Sequence, residues 1–186
     1  MMKGAIFYTT KYGSTRDYAR WIGDAPDLPI FDLQRGDGAL EALDFIVLGC
    51  PIYFHGVLGA AWIRRHLPEM RDKPVVLFTV SGAPAGPKLD AWIAASLPQE
   101  FVDRAYRFAL LGRQSPKKLT WHERVLLVVG GLFNPDRKAG REEIQGFDFM
   151  EKASIEPIVD LINTLKARDG PSLVMEGRPV ARDHVS

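Results

Sequence analysis

Four short apolar runs, each followed by turn or loop residues, constrain this chain more than any other feature. They are GAIFY (4–8), DFIVLGC (44–50), PVVLFTV (74–80) and RAYRFALLG (104–112). The middle two are continuous rather than alternating, the pattern of strands buried on both faces of a parallel sheet. A weaker run, PIFDLQ (29–34), reads as an edge strand because Pro29 stands at its start. Segments with helical spacing lie between the runs. Tyr18, Trp21 and Ile22 mark 14–22, while Leu58, Ala61, Trp62 and His66 mark 58–67. Leu89, Trp92, Ile93 and Leu97 mark 88–97, and a final helix is expected over 149–166, kinked or split at Pro157. Such alternation specifies an α/β fold: a doubly wound, five-stranded parallel sheet with helices on both faces. Right-handed crossovers bring the loop after every strand to one rim, where ligands of open sheets bind.

Composition then removes several function classes. At 186 residues the chain reads as a single domain over 1–167, with an insert at 113–148 after or within the fifth strand and a C-terminal arm at 168–186. A net charge of +1 gives no global field for nucleic acid. Cys50 is the only cysteine, which excludes an internal disulfide framework and suits a reducing compartment. The start, MMKGAIFYTT, is too short and too polar for a signal peptide or membrane span, so a cytoplasmic location is expected. His55, His66, His122 and His184 stand at no ligand spacing, and no metal site is expected.

The rim loops carry the chemistry. After the first strand comes TTKYGST: Thr9, Thr10, Lys11, Tyr12, Gly13, Ser14 and Thr15. A helix start offers unpaired N–H groups and the positive end of a dipole, the hydroxyls add donors, and Gly13 lets the backbone come close. A plain turn with Ser14 or Thr15 as N-cap is the simpler reading. The loop has neither a GK[ST] ending nor G-x-G-x-x-G. Lacking an arginine clamp, it suits a resident phosphomonoester better than a transferable phosphoryl group. After the third strand, Pro51, Ile52, Tyr53, Phe54, His55 and Gly56 place two adjacent aromatics in a loop. One aromatic folding back on the core is ordinary; two together want a flat apolar partner. After the fourth strand, Thr79, Val80, Ser81 and Gly82 can turn backbone amides toward a heterocycle's polar edge, although Gly/Pro-rich connectors are common. Together the three loops describe a site for flavin mononucleotide (FMN).

These residues resemble the flavodoxin superfamily over roughly 3–112 and the last helix. Thr10, Gly13 and Thr15 match its T-x-T-G-x-T phosphate loop, with Lys11-Tyr12 making the loop one residue longer. PIYFHG and TVSG are similar to its second and third flavin loops. The resemblance implies strand order 2-1-3-4-5 with FMN at the switch point between the first and third strands, a placement taken over from flavodoxin itself. Within the superfamily the chain looks most like the short bacterial protoporphyrinogen oxidases that use FMN and menaquinone. The features are T-x-x-G-x-T-R ending at Arg16, the LLG at the fifth strand's end, the following RQSPKKLTWHERVLLVVGGLF, and EEIQGFDFMEKA before the last helix. That resemblance implies an FMN-dependent oxidoreductase of haem biosynthesis, passing electrons from a small organic substrate to a quinone.

The insert is basic. Over 113–141, Arg113, Lys117, Lys118, Arg124, Arg137, Lys138 and Arg141 face only Glu123 and Asp136. Trp121, Val125, Val128, Val129 and Leu132 share a helical face, too short to span a bilayer. That face packs on the domain, joins a homodimer, or makes peripheral membrane contact through 117–133. Two other functions remain open: a flavodoxin-type electron carrier or quinone reductase, and a non-enzymatic binding module. No acid or base stands out; Tyr53 and His55 are candidates from position alone.

Overall fold

The strand β1 (Gly4–Tyr8) shows how the core is divided. Ile6 and Tyr8 point to one face of the sheet, Ala5 and Phe7 to the other, and all are buried because helices cover both faces. The structure, a computed structural model, describes residues 1–35, 40–114 and 147–168. Strands β2 (Ile30–Asp32), β3 (Phe45–Tyr53), β4 (Gly56–Val57), β5 (Val75–Ser81) and β6 (Tyr106–Leu111) follow. Helices α1 (Ser14–Asp24), α2 (Ala60–Arg65), α3 (Leu67–Met70), α4 (Pro87–Ser96), α5 (Gln99–Arg104) and α6 (Glu156–Ala167) separate or follow them.

The sheet order is β2-β1-β3-β5-β6, with every one of those pairings parallel. Setting aside the short β4, which pairs antiparallel with β3, this is the expected 2-1-3-4-5 order. One core lies under α1 and α6, built from Ile6, Tyr18, Ile22, Val47, Phe78, Ile158 and Ile162. The other lies against the opposite face, with Phe7, Ile46, Leu48, Ile63, Leu77, Ile93 and Phe101. Gly49 and Phe78 are register partners on β3 and β5, and a Cβ on Gly49 would stand 2.3 Å from Phe78 Cζ. The ring thus lies over the glycine, filling the space a side chain would take.

Several boundaries differ from those read in the sequence. The third strand runs on to Tyr53, because Ile52 and Tyr53 gain ladder partners in Val57 and Gly56. Pro51, Ile52 and Tyr53 are therefore strand residues, not loop. The expected helix over 58–67 breaks at His66 into α2 and α3, since Pro68 in the next turn cannot continue the hydrogen-bond ladder. A short helix, α5, precedes β6 and had no signal in the periodicity. The last helix starts at Glu156 after a 3-10 turn over Lys152–Ile155, and Pro157 stands in its first turn.

The base of the insert is closed by two more strands, β7 (Arg113–Gln114) and β8 (Phe147–Asp148), paired antiparallel. The face expected over 117–133, with its membrane or homodimer role, lies outside the described residues, as does the arm from 169 onward. No helix among the described residues is long and apolar enough to cross a membrane.

Candidate functional site

The register lines up the ends of four parallel strands. Tyr8 pairs with Gly49, Cys50 with Thr79, and Ser81 with Leu111, so the segments after β1, β5 and β6 emerge beside the far end of β3. There the strand ends frame a shallow, open cleft of about 70 Å³. It is lined by Thr10, Lys11, Tyr12, Ser14 and Thr15, by Pro51, Ile52 and Tyr53, and by Val80, Ser81 and Gly82. Gly112 and Arg113 complete it. All three expected rim segments therefore meet in one place.

One end of the cleft is built for an anion. Gly13 holds the N-cap of α1 at φ 99°, a left-handed conformation that a side chain would strain. No side chain caps the helix. The Gly13 N–H donates to Thr10 Oγ1 at 3.0 Å, which leaves the Thr10 hydroxyl proton for another acceptor. Among the described residues the N–H groups of Ser14, Thr15 and Arg16 have no acceptor. Thr15 is 1% exposed, lines the cleft, and its hydroxyl has no hydrogen-bond partner among the described residues. Donors that open onto a cleft in this way are met by water or by a bound anion.

Positive charge stands beside those donors, contrary to the expectation of a loop without arginine. A Cβ built on Gly13 would lie 3.4 Å from Arg16 Nη2 and 3.6 Å from Arg113 Nη2. Both guanidinium groups are held by Asp17: Arg16 Nε donates to Oδ1 at 3.4 Å, and Arg113 Nη2 donates to Oδ2. Ser14 Oγ meets the Arg113 backbone, accepting from its N–H at 3.3 Å and lying 3.4 Å from its carbonyl oxygen. The Ser14 hydroxyl thus anchors the chain after β6 as well as lining the cleft.

The other end is aromatic. Tyr53 makes edge contacts with Tyr12 at 6.3 Å and Phe54 at 4.5 Å between ring centroids, and Lys11 Nζ lies 5.0 Å above its ring. Phe54 and His55 form the two-residue turn between β3 and β4 with φ of 45° and 63°. Two-residue hairpins favour positive φ at both positions, normally with Asn and Gly. Bulky residues there are strained, and such strain clusters at functional sites. Phe54 is 56% exposed, while His55 turns away and stacks on Trp92 of α4 at 4.8 Å.

Six expected site residues do not line the cleft. Thr9 is buried at the end of β1, with Cγ2 packed toward Gly59. Thr79 is buried and its hydroxyl donates to the Phe108 carbonyl at 3.3 Å. Gly13 acts through its backbone conformation, Phe54 and His55 form the turn, and Gly56 pairs with Tyr53. Ser81 lines the cleft while its hydroxyl donates to the Ala83 carbonyl at 2.7 Å, fixing the start of the third loop. Cys50 is a core residue; burial pushes its thiol up to about 12. Arg113 and Gly112 were not expected here. Their signal was available: the end of the fifth parallel strand lies on the same rim as the others.

Comparison with known proteins fits this geometry. Residues 5–129 match the flavodoxin domain. No curated protein sequence matches significantly. Solved structures with a similar fold include a WrbA-like flavodoxin from Agrobacterium tumefaciens, 17% identical, covering 63% of this chain and 88% of that one, with a TM-score of 0.45. A flavoprotein in complex with FMN from Lactobacillus acidophilus is 14% identical, covering 60% and 93%, with a TM-score of 0.43. A Fusobacterium nucleatum flavodoxin bound to FMN is 22% identical, covering 62% and 72%, also with a TM-score of 0.43.

Proposed function

This chain belongs to the flavodoxin domain family, and from that premise we propose that it is an FMN-dependent oxidoreductase taking electrons from an organic substrate and delivering them to a quinone. FMN is the cofactor. The observation that carries the reading is the cleft itself, which joins an unsatisfied helix N-terminus to an aromatic wall.

The residues present suit that cofactor. The N–H groups of Ser14, Thr15 and Arg16, with the hydroxyls of Thr10 and Thr15, would hold the phosphate. Tyr53 offers a ring face to the flavin, and Gly82 offers exposed backbone to its polar edge. When bound, FMN supplies reversible two-electron chemistry; the protein supplies binding, orientation and electrostatics.

The substrate we propose is a porphyrinogen, as in the menaquinone-dependent protoporphyrinogen oxidases. Three exposed apolar side chains support it: Phe54, next to Tyr53, and Leu111 and Phe149, which flank Gly112 in sequence and by the Phe149 N–H bond to its carbonyl. Lys11 at the same rim suits a carboxylate of such a ring.

The test is direct. Purified protein reconstituted with FMN is given protoporphyrinogen IX and a menaquinone analogue, and porphyrin fluorescence is followed against autoxidation. A rise dependent on both protein and quinone is expected. Bound FMN without that rise removes the porphyrinogen and leaves the flavoprotein; failure to bind FMN removes both.

A further inference from the structure

Arg113 is the cleft residue with the most unusual position. It is the first residue of β7 and so stands at the root of the insert, yet its side chain belongs to the anion end of the cleft. Its backbone is gripped by Ser14 Oγ, and its guanidinium reaches Asp17 one turn further along α1. Spacing of three or four residues on a helix places neighbours on one face, so Ser14 and Asp17 together fix both ends of this arginine. Side-chain exposures of 34% for Arg113 and 21% for Asp17 leave the pair half-buried, where charge is screened less than at an open surface.

Asp17 is a single carboxylate serving two guanidinium groups, so the trio carries a net charge of one positive unit beside Gly13, while Asp148, the register partner of Arg113, turns its Oδ1 to the Met150 N–H. Charge of that sign suits the phosphate of a flavin nucleotide, which is anionic in every redox state, whereas the oxidised flavin ring and the ribityl chain are neutral. A guanidinium also has donors to spare after one carboxylate is satisfied. Thr15, almost fully buried and with its hydroxyl unpartnered among the described residues, marks the spot at which an anion's oxygen belongs.

We infer that Arg113 is the specificity-determining residue that makes this site select the phosphorylated flavin, FMN, over riboflavin, with Asp17 as the positioning residue that aims it. The inference rests on the FMN reading above. It also ties the cofactor to the insert, because the residue that meets the phosphate is the one from which the insert departs.

The test measures dissociation constants for FMN and for riboflavin by flavin fluorescence quenching, in the full-length protein and in Arg113→Gln and Arg113→Lys. Loss of one charge-assisted contact is expected to weaken FMN by about 10–100-fold in Arg113→Gln and to leave riboflavin within about twofold, with Arg113→Lys between. Arg107→Gln, which removes a surface arginine paired with Asp90, is the control and leaves both constants unchanged. An unaltered ratio of the two constants in Arg113→Gln overturns the inference. Equal weakening of both flavins also overturns it, since a merely structural arginine would act on both. A wild-type protein that binds neither flavin sinks the FMN reading together with this one, whereas wild-type FMN binding with an unaltered ratio sinks this one alone.

Discussion

Tyr18→Phe tests how the two ends of the insert are held to the domain. Tyr18 is fully buried in the core under α1, and its hydroxyl touches two separate stretches of chain. It donates to the Leu111 carbonyl at 2.8 Å and accepts from the Glu151 N–H at 3.1 Å. Removing one oxygen leaves the edge contact with Trp21 (5.2 Å, 86°) and the ring packing in place, so the loss is confined to two hydrogen bonds. Each is worth about 1 kcal/mol net, because both backbone groups lie near enough to solvent to recover part of their pairing from water. The expected cost is about 2 kcal/mol, or a fall in Tm of about 4–8 °C for a chain of this size. Urea unfolding with an unchanged m-value gives the free energy, and amide exchange at Glu151 should quicken at least tenfold while β3 and β5 stay protected. A change below about 0.5 kcal/mol, or quickened exchange spread evenly through the sheet, would refute the idea that this hydroxyl stitches the insert's ends to α1.

Other outcomes follow from the same contacts. Cys50 titrates near 12 in the fold against 9.0 ordinarily, because burial disfavours the thiolate. Between those values the unfolded chain has lost a proton that the folded chain keeps, so stability falls with rising pH by about 1.4 kcal/mol per unit. Denaturant titrations from pH 8 to 11 should show that slope reduced in Cys50→Ala; equal slopes would mean the thiol is solvated. Gly49→Ala puts a Cβ 2.3 Å from Phe78 Cζ and should cost about 3 kcal/mol by thermal unfolding, while a loss under about 1 kcal/mol would show that the ring can step aside. Phe54→Asn relieves a positive φ and should raise stability by about 1 kcal/mol while lowering oxidation of the organic substrate at least tenfold; a drop in Tm would mean packing, not function, keeps Phe54 there.

The sheet was legible because its signal is one-dimensional. Residues 44–50 and 74–80 could be buried on both faces only in a parallel sheet with helices above and below, and that fixes where the strand ends lie. The first rim loop was legible for a similar reason: Gly13 and the hydroxyls around it sit where a helix begins, and local chain geometry alone frees those amides. What could not be read depended on partners far along the chain. Ile52 and Tyr53 became strand only because Val57 and Gly56 fold back on them, and Pro51 because it pairs with Val80 of β5. Thr9, taken as a hydroxyl donor, and Thr79, expected to turn its backbone to the site, are both buried in the protein, where the pleat turns every second side chain away from its neighbour. Arg113 was counted among the insert's basic residues; its place in the cleft follows from Ser14 and Asp17, almost a hundred residues earlier.

The same helix therefore has three kinds of contact within its first two turns. Its free amides face the cleft, Ser14 and Asp17 hold the departing end of the insert, and Tyr18 holds both the departing and returning ends. With β7 and β8 paired, the chain leaves and re-enters the domain at adjacent points, so the connection between them closes without asking anything of the sheet. Loop closure costs only about 0.6 kcal/mol per doubling of length, so the sheet tolerates an insert of almost any size there. Position, not stability, is what the insert gains from this arrangement. A segment rooted at Arg113 starts at the anion end of the cleft, because the first residue of β7 is also one of the residues that line it.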